Sequence, residues 1–341
     1  MNICICGGGN LGHSIAGRAA AVLGDSGEVR LLTRRPEAWS QVVCVEDDLG
    51  HVYAKPLALI TDDAGLAVKG ADIILLCIPG YGMEEELLKL RPHLTASQMV
   101  GTIVSSTGFF FQGFRILGAD APLFGFQRVP FVARLSEYGH RSSIRGYRKQ
   151  VWLAASGINP DRQRWLCAVF QSLLGTPVEM LENYLEAALT NSNPILHTGR
   201  LYSMWHDWDG TPFESQSYFY RDWTDDASRT LIDMDSEFFM LLKALNVREG
   251  AVKPLLEHYE SWDAASMTRK ISTIPSLHDL RSPMRQVEGG WIPDTSSRFF
   301  TEDFPYGLRF IYEQACQHHI EMPTIVKVYQ WGCNIILSTS R

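Results

Sequence analysis

Three glycines near the start of the chain are spaced for binding a dinucleotide. The apolar segment Asn2–Cys6 runs into Gly7-Gly8-Gly9-Asn10-Leu11-Gly12, and a stretch rich in small residues follows from His13 to Leu23. In a G-x-G-x-x-G pattern between a strand and a helix, the glycines allow a tight turn, close approach of the pyrophosphate and close helix packing, while the helix N-terminus attracts phosphate. The predicted cofactor contacts in this turn are Gly7, Gly9, Asn10, Leu11 and Gly12. The alternative is a glycine-rich turn that has lost its nucleotide.

The end of the second predicted strand bears on the choice between NAD and NADP. The segment Glu28–Leu32 ends in Thr33-Arg34-Arg35-Pro36, where an NAD-specific site places a carboxylate on the ribose 2′-OH. A hydroxyl and two guanidiniums instead suit a 2′-phosphate, since each charge-assisted bond contributes about 1.5–3 kcal/mol. We therefore predict NADP, with NAD as the other option, bound by Thr33, Arg34 and Arg35. Arg34 is the stronger of the two arginines because Arg35 precedes Pro36; alternatively, both arginines are solvated surface residues.

The elements that must position these residues alternate between strand and helix over residues 1–182. A continuous apolar run, Ala71–Ile78, is typical of a strand buried on both faces, and the loop that follows it should lie over the cofactor, which makes Pro79 a predicted contact. Further predicted elements are strands at Met99–Val104 and Gln150–Ala154 and a helix at 162–174 with Trp165 on its inner face. Phe109-Phe110-Phe111 and Leu123–Arg134 are expected to cover the sheet or close the site. The pattern predicts an α/β fold, a Rossmann-type doubly wound parallel sheet.

In residues 183–341 the apolar residues follow a helical spacing, and few segments resemble strands. The predicted helices are Leu185–Arg200, Ala227–Leu245, Val252–Tyr259, Leu308–His318 and Pro323–Leu337. We therefore predict a dinucleotide-binding domain at 1–182, an all-helical substrate and catalytic domain at 183–341, and an active site in the cleft between them.

Composition excludes several classes of function. The net charge of −7 argues against nucleic acid as a partner, and the sequence has no basic run beyond Arg34-Arg35 that would favour an anionic membrane. The first predicted strand begins at residue 2 and no apolar run approaches the length of a membrane helix, so we expect a cytoplasmic protein. The 7 cysteines are expected to be free thiols, and we predict no metal site.

Two elements in the second half carry a resemblance to a known family. Asn193-Pro194-Ile195-Leu196-His197 has the form Asn-x-x-x-His, and the second element reads Arg298-Phe299-Phe300-Thr301-Glu302-Asp303-Phe304-Pro305-Tyr306-Gly307-Leu308. The segments 127–134 and 232–237 are also similar to the family's. On these elements the chain resembles the opine dehydrogenases of the octopine/nopaline type over most of its length. It departs from the pattern at Gln127-Arg128, so substrate contacts of that segment are not carried over.

The resemblance implies a fold, a reaction and roles for residues. It implies a second domain like the C-terminal domain of 6-phosphogluconate dehydrogenase, and NAD(P)H-dependent condensation of an amino acid with a 2-oxo acid. The matching positions suggest His197 as general acid/base and Asp303 as its partner, which suits a reaction that needs a proton near neutral pH. Asn193, one helical turn earlier, and Arg298, a bidentate donor for carboxylates, are the predicted substrate-binding residues.

Structural alternatives stand beside each of these roles. His197 can be a core histidine, Asp303 can cap the helix that follows it, and Arg298 can pair with Glu302 on the surface. The aromatic segment Tyr202–Trp223 can line an amino-donor pocket, fill a domain interface or form a subunit interface, and a homodimer is a compatible assembly. The rival functions are a single-substrate reductase, of the ketopantoate or 2-hydroxyacid type, and a non-catalytic NADP(H) sensor.

Overall fold

The computed structural model describes residues 1–190 and 192–339, except for the side chains of residues 107 and 339. The chain divides into two compact units, Met1–Ala188 and Leu189–Arg341. The boundary predicted at 182/183 falls shortly before this division. No helix in the described part has both the length and the apolar character required to cross a membrane.

An eight-stranded sheet forms the centre of the first unit. The strands of the unit are β1 (Asn2–Cys6), β2 (Glu28–Leu32), β3 (Cys44–Asp47), β4 (Val52–Tyr53), β5 (Leu59–Thr61), β6 (Ile73–Leu76), β7 (Met99–Thr102), β8 (Leu123–Phe126), β9 (Val132–Glu137), β10 (Arg141–Arg145), β11 (Val151–Ser156) and β12 (Val178–Met180). The large sheet has the order β12-β11-β8-β7-β6-β1-β2-β5, and its neighbouring strands are parallel except for β8 and β11. The predicted Rossmann-type sheet is confirmed.

Helices cover this sheet and explain its apolar strands. They are α1 (Asn10–Leu23), α2 (Ala64–Val68), α3 (Met83–Leu90), α4 (Phe109–Leu117), α5 (Pro160–Leu174) and α6 (Leu185–Ala188). All four residues of β6 are fully buried, as expected for a strand between two layers. The aromatic run 109–111 begins α4, and Phe109 and Phe110 are buried. Trp165 on α5 is 38% exposed, so its predicted place on the inner face is wrong.

A second, four-stranded sheet lies against α1 and was not predicted. Its order is β4-β3-β10-β9, and β9 and β10 both contact α1. The segment Leu123–Arg134, which was expected to cover the sheet or close the site, instead supplies β8 inside the large sheet and the beginning of β9. The Phe124 ring occupies space that a side chain at Gly101 would fill, since a Cβ there would lie 2.3 Å from the ring. This packing places an aromatic-rich segment inside the sheet.

The second unit is helical with one hairpin. Its elements are α7 (Asn193–Trp205), α8 (Asp225–Ala244), α9 (Leu255–His258), α10 (Ala264–Ser272), β13 (Met284–Val287), β14 (Gly290–Pro293), α11 (Arg298–Thr301), a π-helical turn (Phe304–Leu308), α12 (Arg309–Gln317) and α13 (Pro323–Thr339). The predicted helix Leu185–Arg200 is two helices, α6 and α7, because Pro194 favours a new helix start there; residue 191 lies outside the described residues. The hairpin and α10 were missed.

Candidate functional site

An open cavity of about 630 Å³ lies at the carboxyl ends of β1, β2 and β6. It is lined by Gly7, Gly8, Gly9, Leu32, Thr33, Arg34, Arg35, Cys77, Ile78, Pro79, Tyr81, Gly82, Glu85, Glu86, Lys89 and Tyr138. Six of the predicted cofactor contacts belong to this lining: Gly7, Gly9, Thr33, Arg34, Arg35 and Pro79. Within the described residues, Asn10, Leu11 and Gly12 are not part of it. In parallel sheets this edge is where nucleotides bind.

The glycine turn has the geometry that a pyrophosphate requires. Gly7 has a φ of +118°, and a Cβ at Gly12 would lie 1.9 Å from the carbonyl oxygen of Gly7, so neither position accepts a side chain without strain. Gly9 is the N-cap of α1, and a Cβ placed on it would meet no atom within 4 Å, so the approach to the N-terminus of the helix is open. The side chain of Asn10 is engaged elsewhere, because its Oδ1 accepts a hydrogen bond from the Leu135 N–H at 2.9 Å.

His13 connects this turn to the β9–β10 hairpin. Its Nδ1 lies 2.9 Å from the Gly9 carbonyl oxygen, and its Nε2 lies 2.7 Å from the Gly139 backbone nitrogen. Since Gly139 N–H donates to Nε2, the ring is neutral and its Nδ1–H donates to Gly9. The side chain is fully buried and stacks on Trp39 at 3.8 Å between ring centroids, and burial lowers the pKa of His13. The imidazole therefore fixes the position of the glycine turn.

Polar groups gather where β2 ends. The Arg35 guanidinium carbon lies 4.4 Å from the centroid of the Tyr138 ring, so Arg35 stays at the cavity despite preceding Pro36. Burial raises the pKa of Glu86, which also lines the cavity, while the charges of Lys89 and Arg34 oppose that rise. This end of the cavity thus combines two guanidiniums and two hydroxyls, those of Thr33 and Tyr138, with a carboxyl near Arg34.

A second group of polar side chains lies in the second unit, around His197. Asp303 Oδ2 lies 2.8 Å from His197 Nδ1, and the Tyr220 hydroxyl oxygen lies 3.2 Å from His197 Nε2. With Asp303 as a carboxylate, Nδ1 carries the proton, and Nε2 of the neutral ring accepts a bond from the Tyr220 O–H. Burial raises the pKa of Tyr220, and the nearby Tyr259 and Asp303 raise it further. Tyr220 is therefore a hydroxyl donor at neutral pH.

Aromatic rings enclose this group. Phe299 and Phe219 pack edge-on against the imidazole at centroid distances of 4.7 and 5.8 Å. Arg200 fixes the loop that carries Tyr220, since its Nε and Nη2 donate to the carbonyl oxygens of Phe219 and Asp222 at 3.0 and 2.7 Å. The side chains of His197 and Asp303 are only 14% and 17% exposed. An ion pair in such surroundings is weakly screened, so Asp303 can stabilise an imidazolium.

The remaining predicted residues occupy less specialised surroundings. Asp303 is the N-cap of the π-helical turn, but within the described residues its side chain makes no capping bond. Arg298 donates from Nε and Nη2 to the two carboxylate oxygens of Glu302 at 3.0 and 2.8 Å, and its side chain is 84% exposed. Asn193 begins α7 and is exposed. The roles of all four predicted residues of this unit stay predictions.

Three residues at the two sites were not singled out from the sequence. His13, Tyr138 and Tyr220 each act through contacts with residues distant in the chain. His13 follows the glycine motif directly and was a visible signal, whereas Tyr220 was one aromatic residue among many in its segment. Nothing in the sequence around Tyr138 indicates that it returns to the end of β2.

Comparisons with known proteins agree with the geometry. Residues 180–336 match the family model described as NAD/NADP octopine/nopaline dehydrogenase, alpha-helical domain. The chain is 29% identical to the octopine dehydrogenase of Mizuhopecten yessoensis over 97% of this chain and 89% of that protein. A solved octopine dehydrogenase with NADH and L-arginine superposes with a TM-score of 0.82 at 26% identity, over 98% of this chain and 89% of that one.

A more distant structure shares the fold alone. Yersinopine dehydrogenase with NADP⁺ bound has a TM-score of 0.72 at 14% identity, over 99% of this chain and 92% of that one. The predicted resemblance to the opine dehydrogenases is confirmed, and so is the prediction of an NAD(P)-dependent oxidoreductase. The octopine dehydrogenase relatives support a nicotinamide cofactor without distinguishing NADP from NAD.

Proposed function

We propose that this opine dehydrogenase-type oxidoreductase uses NADPH to condense an amino acid with a 2-oxo acid, with His197 as the general acid/base. The observation that carries the proposal is the short contact between His197 Nδ1 and Asp303 Oδ2, at the two positions that match the family's motifs. The relative solved with NADH and L-arginine supports an amino acid as one substrate class, and a related structure of octopine dehydrogenase with pyruvate supports a 2-oxo acid as the other.

The residues of the first unit fit a dinucleotide. The N-terminus of α1 and the strained turn at Gly7 suit the pyrophosphate, while Thr33, Arg34 and Arg35 would hold the 2′-phosphate of NADP. A neighbouring carboxyl, Glu86, also lines the cavity, and the charges of Lys89 and Arg34 lie close to it. We therefore retain NADPH as the proposed cofactor, with NADH as the alternative. When bound, the cofactor supplies the hydride.

The second unit supplies the proton chemistry. In the reducing direction, protonated His197 would donate from Nε2 while Asp303 stabilises the charged ring through Nδ1. Tyr220 occupies Nε2 in the structure, so its hydroxyl must turn to accept the Nε2–H, or yield to the substrate, when His197 is protonated. Arg298 would release Glu302 and bind a substrate carboxylate through the same two N–H groups. Asn193 would orient the same substrate.

The decisive test is whether two organic substrates are needed together. Purified protein is mixed with NADPH and with pools of 2-oxo acids, of amino acids, or of both, and loss of the reduced nicotinamide absorbance is followed. We expect turnover only in the mixture, because hydride is delivered to the imine formed between the two substrates. A full rate with oxo acids alone would instead identify a single-substrate reductase, and no turnover in any pool, with tight NADPH binding, would favour a sensor.

A further inference from the structure

Tyr138 comes to the cofactor cavity from the four-stranded sheet. It lies in the turn between β9 and β10, and it lines the cavity beside the residues that end β2. A Cβ placed on Gly8 would lie 2.9 Å from the Tyr138 hydroxyl oxygen and 3.0 Å from Thr33 Oγ1. Both hydroxyls therefore converge on one point above the glycine turn. The Arg35 guanidinium lies over the same tyrosine ring at 4.4 Å.

The turn that carries Tyr138 is held in place by contacts with the rest of the first unit. The next residue, Gly139, donates its N–H to the buried His13 and accepts a bond from the Ser40 N–H at 3.0 Å. Trp39 packs edge-on against the Tyr138 ring at 5.6 Å. A hydroxyl fixed in this way loses little conformational entropy when it binds a ligand, which strengthens its contribution to affinity.

The electrostatic surroundings of Tyr138 suit an anion. Burial raises the pKa of Tyr138, but the nearby Thr33 hydroxyl and the charge of Arg35 outweigh burial, and its pKa lies below the ordinary value. The phenol oxygen lies close to Thr33 Oγ1, since both atoms are near the position that a Gly8 Cβ would occupy. Its own O–H proton remains to be donated, and the adjacent space is the cavity.

The geometry points to Tyr138 as a residue that distinguishes NADP from NAD: its hydroxyl donates to the 2′-phosphate, and its ring holds Arg35 against the same phosphate. This inference rests on the proposed use of NADPH. A phosphate at the 2′ position offers three acceptor oxygens and nearly two negative charges, whereas NAD has a hydroxyl there. A strand-end arginine alone is long and mobile, and stacking on an aromatic face limits its freedom.

The test uses ligands that isolate the 2′-phosphate. Binding of 2′,5′-ADP and of 5′-ADP to the full chain is measured by titration calorimetry for the native protein, Tyr138→Phe, Tyr138→Leu and the control Tyr147→Phe. Tyr147 belongs to the same unit, but its hydroxyl donates to Asp47 Oδ2 at 3.1 Å, and it does not line the cavity. Thermal unfolding of each variant verifies that it is folded.

We expect the native protein to bind 2′,5′-ADP more tightly than 5′-ADP. Tyr138→Phe keeps the ring and should weaken 2′,5′-ADP about 10-fold, as for a lost bond to a charged acceptor. Tyr138→Leu should weaken it by a further factor of about 2 to 5, because the cation–π contact is also lost. Binding of 5′-ADP should stay within about 2-fold in every variant, and Tyr147→Phe should match the native protein for both ligands.

Two different failures are separable. If the native protein binds both ligands equally, the proposed use of NADPH is wrong, and so is the inferred role of Tyr138 in distinguishing NADP from NAD. If the native protein prefers 2′,5′-ADP, but the Tyr138 variants keep that preference or lose both ligands equally, then NADPH stands and Tyr138 is only part of the framework.

Discussion

Replacing Asp303 by Asn tests whether this carboxylate acts through His197. The distance of 2.8 Å between Nδ1 and Oδ2 is typical of a charge-assisted bond, which contributes about 1.5–3 kcal/mol, against about 0.5–1.5 kcal/mol for a neutral one. With both side chains less than a fifth exposed, solvent screening reduces this difference only slightly. The midpoints of these two ranges differ by about 1.3 kcal/mol, so the change should remove about that much transition-state stabilisation, or roughly 10-fold in kcat/KM.

Larger losses follow if the tautomer changes. An asparagine that turns its amide N–H toward Nδ1 would force the proton onto Nε2, and tautomer inversion of this kind costs up to about 10⁴ in rate in serine protease triads. His197→Ala should lower turnover by about 10² to 10⁴, and the double variant should be little worse than His197→Ala, because Asp303 acts only through the ring.

The assay is steady-state oxidation of NADPH with one organic substrate varied at a saturating concentration of the other, beside fluorescence titration of NADPH. Cofactor affinity should not change, because the cavity residues all belong to the other unit. Asp294→Asn is the matched control, since that carboxylate accepts bonds from Ser296 in a loop of the same unit. A kcat/KM for Asp303→Asn within 2-fold of the native value, or a double variant whose losses multiply, would refute the reasoning.

Three further outcomes are expected. Tyr220→Phe should lower the single-turnover rate about 2- to 10-fold, as for a lost neutral hydrogen bond, without removing any ionisation near neutral pH, because the pKa of Tyr220 is raised; an unchanged rate would make this hydroxyl a bystander. Folding lowers the pKa of His13 below the ordinary 6.5, so the unfolded chain binds more protons than the folded protein as the pH falls. The free energy of unfolding, measured by urea titration, should therefore decrease as the pH drops from about 7 to 5. The decrease should be smaller in His13→Gln. Arg298→Lys should raise the apparent KM of one carboxylate substrate about 10-fold because the bidentate fork is lost; an unaltered KM would leave Arg298 as the exposed partner of Glu302.

Much of the first site could be predicted because its signals are local. The turn from Gly7 to Gly12 joins a strand and a helix adjacent in the chain, and the apolar run around β6 can only be buried on both faces. The four-stranded sheet gave no such signal, since β4 has two residues and β9 is partly exposed. The contacts of Tyr138 and Tyr220 join distant segments, and neither periodicity nor spacing reveals which segments meet.

The second site was predicted from a motif rather than from physical pattern. The spacing of Asn193 and His197 places both on one face of a helix, but only the resemblance to a family paired His197 with Asp303. The break between α6 and α7 was missed because the apolar residues on its two sides were assigned to one helix, although residues 190–193 are polar and Pro194 favours the first turn of a new helix. Local propensity therefore located the helix and left its start undetermined.

The imidazole of His13 couples the four-stranded sheet to the glycine turn of the candidate nucleotide site. One ring accepts the Gly139 N–H and donates to the Gly9 carbonyl, so local opening of the hairpin and loosening of the phosphate turn belong to one cooperative event. A ligand that binds only the closed turn must then slow amide exchange in β9 and β10, including amides it never touches. By the same linkage, a substitution that destabilises the hairpin will lower the affinity for the nucleotide. Such a loss can be mistaken for the effect of removing a direct contact with the nucleotide.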